Sequence, residues 1–372
     1  MRFVHLTRLL LHFSAAFVLA GCLDSGGSSG SDDTSTGRVH FLGVSGLDYQ
    51  TASQTGTTDD QGRFRYYPGE TLSFNVGNLP IVSDVPAREY VTFLEFLPET
   101  RDALNTPGVN DEELRDHTIS EQQQLNNITL LNMTRFLMAL NWTENVPEGS
   151  GIDIRTRVID QLNAALDNPD LPNALNFNVN QAEFTAEDSP ANQLLAQICF
   201  YPEDDELCSA PPTDDDINNA PPRPENDDDI DPDTDYREDL ENLRNRILQA
   251  VRTLEDADNE RARTYLRREL NAITRDIGRR YYLADHKANH AASDTEIKTV
   301  AIRKIGGEPE LAQLEAISKR EQDVVVHSWS WQDADVDYFV AGPSGGESEL
   351  LINFRPGNTY RWVRKQLRVV ID

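Results

Sequence analysis

Residues 203–239 break the chain into two differently patterned parts. The stretch is acidic and carries Pro211, Pro212, Pro221, Pro222, Pro224 and Pro232. Such a run has little apolar surface to bury, so nothing offsets the entropy of ordering it. A disordered acidic linker is therefore expected here, with folded units on either side. The full chain has 372 residues, enough for two or three domains with cores of their own.

Ahead of the break, residues 38–95 read as β. Leu47, Tyr49 and Thr51 alternate, as do Phe64 and Tyr66, and then Leu72, Phe74 and Val76. Turn sequences separate them at Asp59-Asp60-Gln61-Gly62 and Pro68-Gly69. Residues 96–202 change to helical spacing. Ile128, Leu131, Phe136, Leu137 and Leu140 form one stripe, Ile159, Leu162 and Ala165 a second, and Leu194, Leu195 and Ile198 a third.

Beyond the break, residues 240–372 begin with a predicted helical pair. Leu240, Leu243, Ile247, Val251 and Leu254 mark the first helix, and Leu266, Leu270, Ile273 and Ile277 the second. Strands are expected at 297–305 and around Val324, Tyr338, Leu350 and Leu367, with a short helix over 309–320. Turns fall at Pro343-Ser344-Gly345-Gly346 and Pro356-Gly357-Asn358. The fold class is α+β: a small N-terminal antiparallel β module, a helical region, and a C-terminal helical pair with an antiparallel sheet.

Formal charge is −29. Such a surface repels nucleic acid and anionic headgroups and suits cationic partners or divalent cations.

The N-terminus has the build of a secretory signal. Arg2 and Arg8 precede an apolar run over 9–20, too short to span a bilayer, and small residues follow. Leu19-Ala20-Gly21-Cys22 resembles the lipobox of bacterial lipoproteins. The resemblance implies that residues 1–21 are removed and that Cys22 carries acyl chains of the palmitate kind. Two or more chains anchor a protein stably in a membrane. Removing Arg2 and Arg8 leaves a charge of −31. Leu23 stands where many inner-membrane lipoproteins have Asp, so the resemblance favours the outer membrane, on its periplasmic face or at the cell surface. Residues 22–37 are rich in Gly, Ser, Asp and Thr and read as a flexible tether.

Within the β module, Ser45-Gly46-Leu47-x-Tyr49-x-Thr51 is followed by Gly62-x-Phe64-x-Tyr66-x-x-Gly69. The pattern resembles an adhesin-like module of bacterial surface lipoproteins of gammaproteobacterial type, and covers under a sixth of the chain. Asn132-Met133-Thr134-Arg135-Phe136-Leu137 followed by Gly151-Ile152-x-Ile154 resembles the same proteins. In many of them the loop between these motifs is Asp-rich and suited to calcium. Here residues 141–150 contain no Asp, so the resemblance carries no calcium site over.

Candidate sites are few. Cys199 and Cys208 flank a short acidic loop in an oxidising compartment, where a disulfide is expected and a pair of free thiols is the alternative. Asp231, Asp233 and Asp235 alternate as weak Ca²⁺ ligands can, but Tyr236 stands where a calcium loop needs Gly and Asn242 where it needs Glu. A solvated acidic face is the default, and no cofactor is assigned beyond such weak Ca²⁺ binding. His286 and His290 would share a face if helical, without the Glu of a metalloprotease motif. Gly342-x-Ser344-x-Gly346 has the offsets of a nucleophile elbow, yet lies between expected strands and reads as turn chemistry. Trp329 and Trp331 would point the same way along a strand, either packed under helices or offering a sugar-stacking face. Arg261, Arg268, Arg275 and Arg279 form a basic stripe on the second C-terminal helix. It is expected to attract the acidic linker, or else to dock an anionic envelope polysaccharide.

These features lead to an outer-membrane-anchored, non-catalytic interaction protein of the envelope, adhesin-like in kind. Its partners would be the membrane, through its lipid, and an envelope polysaccharide or protein, with no nucleic acid. The alternatives are an accessory lipoprotein of an envelope transport system and a periplasmic or surface hydrolase.

Overall fold

Strand Ser35–Val39 starts inside the stretch read as tether. It pairs antiparallel with Arg63–Tyr66 and parallel with Tyr90–Val91. Gly37 permits this, because any Cβ there would come within 2.3 Å of the Phe64 ring. The computed structural model describes residues 34–372 apart from Asp256, so the signal segment, Cys22 and most of the tether lie outside the described residues.

A second small sheet has the order Thr55–Thr57, Asp48–Gln50, Thr71–Val76, Leu79–Pro86. Its inner face, with Leu72, Phe74 and Val76, meets Phe64 and Tyr66 of the first sheet. The module does not close on itself. Phe74 stacks on Phe96 at 5.2 Å, and Val44–Ser45 pairs in parallel with Ile152–Asp153 from the helical region. Helix Ile128–Ala139 is buried on every side from Leu130 to its end, as a helix apolar all round must be. Its buried polar donors find carbonyls: Asn132 donates to Phe177 O and Val179 O, and Arg135 to Leu254 O and Ala257 O.

The C-terminal strands form a two-sheet sandwich. One sheet has the order Tyr281–Leu283, Lys298–Lys304, Asp335–Val340, Val324–Ser330; the other runs Lys287–His290, Val363–Ile371, Glu347–Pro356, Leu311–Ser318. Val300, Ile302, Val336 and Tyr338 of the first face Leu314, Leu350, Ile352, Phe354 and Val369 of the second across one core.

Between the two cores runs the helix Asn259–Arg279. Ala262, Tyr265, Leu266 and Leu270 belong to the N-terminal core, while Ile273 and Ile277 belong to the sandwich core. At 21 residues it is about 32 Å long, enough to reach both. Asp258 caps its N-terminus by accepting from Arg261 N, and Lys365 Nζ donates to Gly278 O at the other end.

The α+β class stands, but several finer expectations change. Both helices of the predicted pair form, but they pack chiefly on other elements. Helix Arg237–Gln249 packs against Asp214–Asn219 and Glu206–Cys208, whereas the long helix packs against Ile128–Ala139. The first buries Ile247 alone and has little to offer a partner, while the second buries seven residues. Residues 309–320 hold strand Leu311–Ser318 in place of a helix. A bulge between Leu311 and Gln313 adds a residue, so Leu311 and Leu314 acquire a helical spacing within a strand. Pro343-Ser344-Gly345-Gly346 joins strands of different sheets, so it is a sandwich corner and not a hairpin. Residues 203–239 are organised. They contain Glu206–Cys208 and Asp214–Asn219, bury Ile217 and Tyr236, and pair their acids with Arg157, Arg223, Arg244 and Arg246. The buried Ile217 and Tyr236 and these exposed ion pairs have partners distant in the chain, which composition alone does not locate.

Candidate functional site

The densest buried polar cluster lies beside the long helix, where the N-terminal body meets the sandwich. It starts at the turn after the first strand. His40 takes φ 62°, which turns the next two amides toward the helix. Phe41 N and Leu42 N both donate to Glu269 Oε2 at 2.8 Å, and Arg268 donates to Oε1 at 3.0 Å. Glu269 is wholly buried, so three donors hold its charge. His40 Nε2 accepts from Phe93 N, which leaves the proton on Nδ1. Burial first, then Arg268, pushes His40 down to about 3, so it stays neutral.

Further along, His117 Nδ1 accepts from Trp362 N at 3.1 Å. Its Nε2 therefore carries the proton and donates to Thr274 Oγ1 on the long helix. Burial, reinforced by Arg361, lowers His117 to about 3. Tyr360 donates its hydroxyl to Glu121 Oε1 at 2.7 Å, and Arg361 Nε lies 3.5 Å from the same oxygen. Burial pushes the Glu121 carboxyl up to about 7 against the pull of Arg361. Glu95 Oε2 accepts from Thr92 N and Oγ1, and its Oε1 stands 4.0 Å from Arg88.

Two cavities flank Arg88 and Glu95. One, of about 40 Å³, is lined also by Tyr90, Arg280, Tyr281, Lys304 and Arg361. The other, of about 240 Å³, is lined by Arg101, Asp102, Asn105 and Tyr360. Chemically, the cluster offers fixed positive charge, carboxylates and tyrosine hydroxyls. Arg361, Glu121, His117 and Glu269 escape sequence reasoning because each is a lone polar residue in an unremarkable stretch. Arg361, just ahead of a basic and apolar strand, looks like one more solvated arginine.

The predicted site residues lie elsewhere. Cys199 and Cys208 are bonded as a disulfide, with Cα atoms 5.5 Å apart. Asp231 accepts from Asp233 N and Thr234 Oγ1 in its own exposed turn. Among the described residues no three His, Cys, Asp or Glu side chains gather as a metal site would require, so Asp231, Asp233 and Asp235 do not converge. His290 lies on strand Lys287–His290, where Nε2 meets Tyr338 OH at 3.0 Å, and not on a helix face shared with His286. Ser344 sits at a strand-to-strand corner, without the helix an elbow needs.

Arg268 and Arg275 of the arginine stripe are engaged by neighbouring carbonyls and by Glu269. Arg268 donates to Pro147 O and Ser150 O as well as Glu269, and Arg275 to Asn271 O. Arg263 and Arg267 pair with Glu260. Tyr338 and Tyr360 are buried in the two cores, and Trp362 is buried as well. Trp329 and Trp331 remain 49% and 44% exposed. Strand Val324–Ser330 is an edge strand, and a shift between Val326 and Ser328 sets Trp329 opposite Val336.

No family model matches the chain, and no curated protein does. Among solved structures, domains 4 and 5 of the S-layer protein SbsC match with 12% identity and a TM-score of 0.18, over 24% of this chain. The chain spans half the length of that structure, and the likeness is too slight to carry an argument. No helix among the described residues is long and apolar enough to cross a membrane.

Proposed function

We propose that the protein is an outer-membrane lipoprotein, held by acyl chains on Cys22, that acts as a non-catalytic, adhesin-like interaction protein of the cell envelope. The lipobox sequence supports the anchor. The observation that carries the interaction role is the pair Trp329, on the edge strand Val324–Ser330, and Trp331, in the turn just past its end, each about half in water. Tryptophan carries a large apolar surface that a folded chain normally covers. Two such rings near an open sheet edge suit stacking on sugar faces or a protein partner. The strongly negative surface favours neutral glycans over nucleic acid.

The test is binding of the full chain, purified in detergent, to immobilised envelope polysaccharide. Trp329→Ala with Trp331→Ala should weaken binding about tenfold or more, a loss of about 1.4 kcal/mol or greater. Because both rings are half solvated, the unfolding midpoint should move little. Unchanged binding by the double variant refutes the role given to this edge.

A further inference from the structure

The 40 Å³ cavity draws four cationic side chains from four segments that are distant in sequence: Arg88, Arg280, Lys304 and Arg361. Two carboxylates, Glu89 and Glu95, share the lining, which leaves an excess of two positive charges. This happens in a chain whose total charge is −29.

The cations are not equally engaged. Arg280 is neutralised by Glu89 at 2.6 Å and by Asp276. Arg88 comes only within 4.0 Å of Glu95, whose other oxygen is occupied by Thr92. Lys304 has no ion pair among the described residues. Arg361 is 1% exposed, yet its Nε and Nη2 have no hydrogen-bond partner. The nearest carboxylate oxygen, on Glu121, already accepts from Tyr360. Buried guanidinium N–H groups that make no hydrogen bond are costly, and water or an ion normally supplies their acceptors. The carbonyl end of the long helix would oppose an anion here, but Lys365 takes Gly278 O.

We propose that this cavity binds one small oxyanion, a free carboxylate or phosphate, held by Arg361, Arg88 and Lys304. The planar guanidinium matches the paired oxygens of both groups. About 10–15 Å³ of such space holds one water molecule, so the cavity has room for an ion of a few heavy atoms. Arg88 belongs to the N-terminal body, Lys304 and Arg361 to the sandwich side, so the ion joins the two.

The test uses the full chain in detergent, titrated calorimetrically with sodium phosphate and separately with sodium formate, with ionic strength held by sodium chloride. At least one anion should saturate the site and raise the thermal midpoint with concentration, as ligand linkage requires. Saturation by phosphate alone identifies phosphate, and by formate alone a carboxylate. Arg88→Gln and Lys304→Gln should each weaken binding about tenfold, while Lys319→Gln, which lines a different cavity, should leave it unchanged. Both variants keep the buried Arg361, so they test the site without removing a core residue. The proposal is overturned if neither anion saturates at tens of millimolar. It is equally overturned if the Arg88→Gln, Lys304→Gln double variant binds as the parent does, since water then suffices for Arg361.

Discussion

Removing the Glu269 carboxylate should loosen the joint between the first strand's turn and the long helix. In Glu269→Ala, the amides of Phe41 and Leu42 lose an acceptor at 2.8 Å, and Arg268 loses its partner at 3.0 Å. Each buried amide left unpaired costs about 1–3 kcal/mol. Breaking one side of a buried charge contact costs about 3–5 kcal/mol in all. We expect a loss in that range, because no other acceptor reaches those amides. Glu269→Gln should cost less, about 2 kcal/mol, since one amide oxygen remains while its NH₂ faces donors. Glu260→Ala on the same helix is the control: its pairs with Arg263 and Arg267 are solvent-exposed, and about 0–1 kcal/mol is at stake. Urea unfolding followed by far-ultraviolet circular dichroism reads the difference. With a slope of about 3 kcal/mol per molar, the Glu269→Ala midpoint should fall by about 1–1.5 M. A shift no larger than that of Glu260→Ala would refute the reasoning.

The pH dependence has two opposed parts. His40 and His117, held near 3 in the folded chain, bind protons on unfolding, so their contribution is lost as pH falls from about 6.5 toward 3. Glu121, raised to about 7, contributes stability below its unfolded value that is lost as pH climbs through 7. Glu121→Gln should therefore gain on the parent as pH rises from about 4.5 to 7, and denaturation curves that stay parallel over that window would sink the assignment. Cys208→Ala should cost about 2–3 kcal/mol by freeing the loop that the Cys199–Cys208 bridge closes, and alkylation before reduction should label neither cysteine of the parent. Cys22→Ala should leave the membrane fraction or accumulate unprocessed, and normal detergent-phase partitioning of that variant would remove the anchor from the reading.

Local patterning carries further for some segments than for others. The strands at Thr71–Val76 and Val363–Ile371 were legible because each alternates with one face buried. The stripe at Leu266–Ile277 was legible because a buried helix face repeats every three to four residues, whereas in Ile128–Ala139 Ile128 is exposed and every residue from Leu130 on is buried. Leu311–Ser318 was not, because one bulge residue mimics helical spacing. Nor was the 203–239 stretch, where Ile217 and Tyr236 are buried and Arg244 meets Asp214 and Arg246 meets Glu206 across 30 and 40 residues of chain.

By itself, then, the sequence determined the α+β class, the positions of the strands that alternate clearly, the buried face of the long helix, and the proximity of Cys199 and Cys208, all of which depend on short-range period and spacing. The tertiary structure alone decided that one helix serves two cores, that the C-terminal strands divide into two sheets, and that Glu269, Glu121, His117 and Arg361 gather at the joint. Glu269 meets Phe41 across 228 residues, and Tyr360 meets Glu121 across 239. The cost of burying such groups depends on which partners the folded chain brings within hydrogen-bond distance, and no local pattern encodes that.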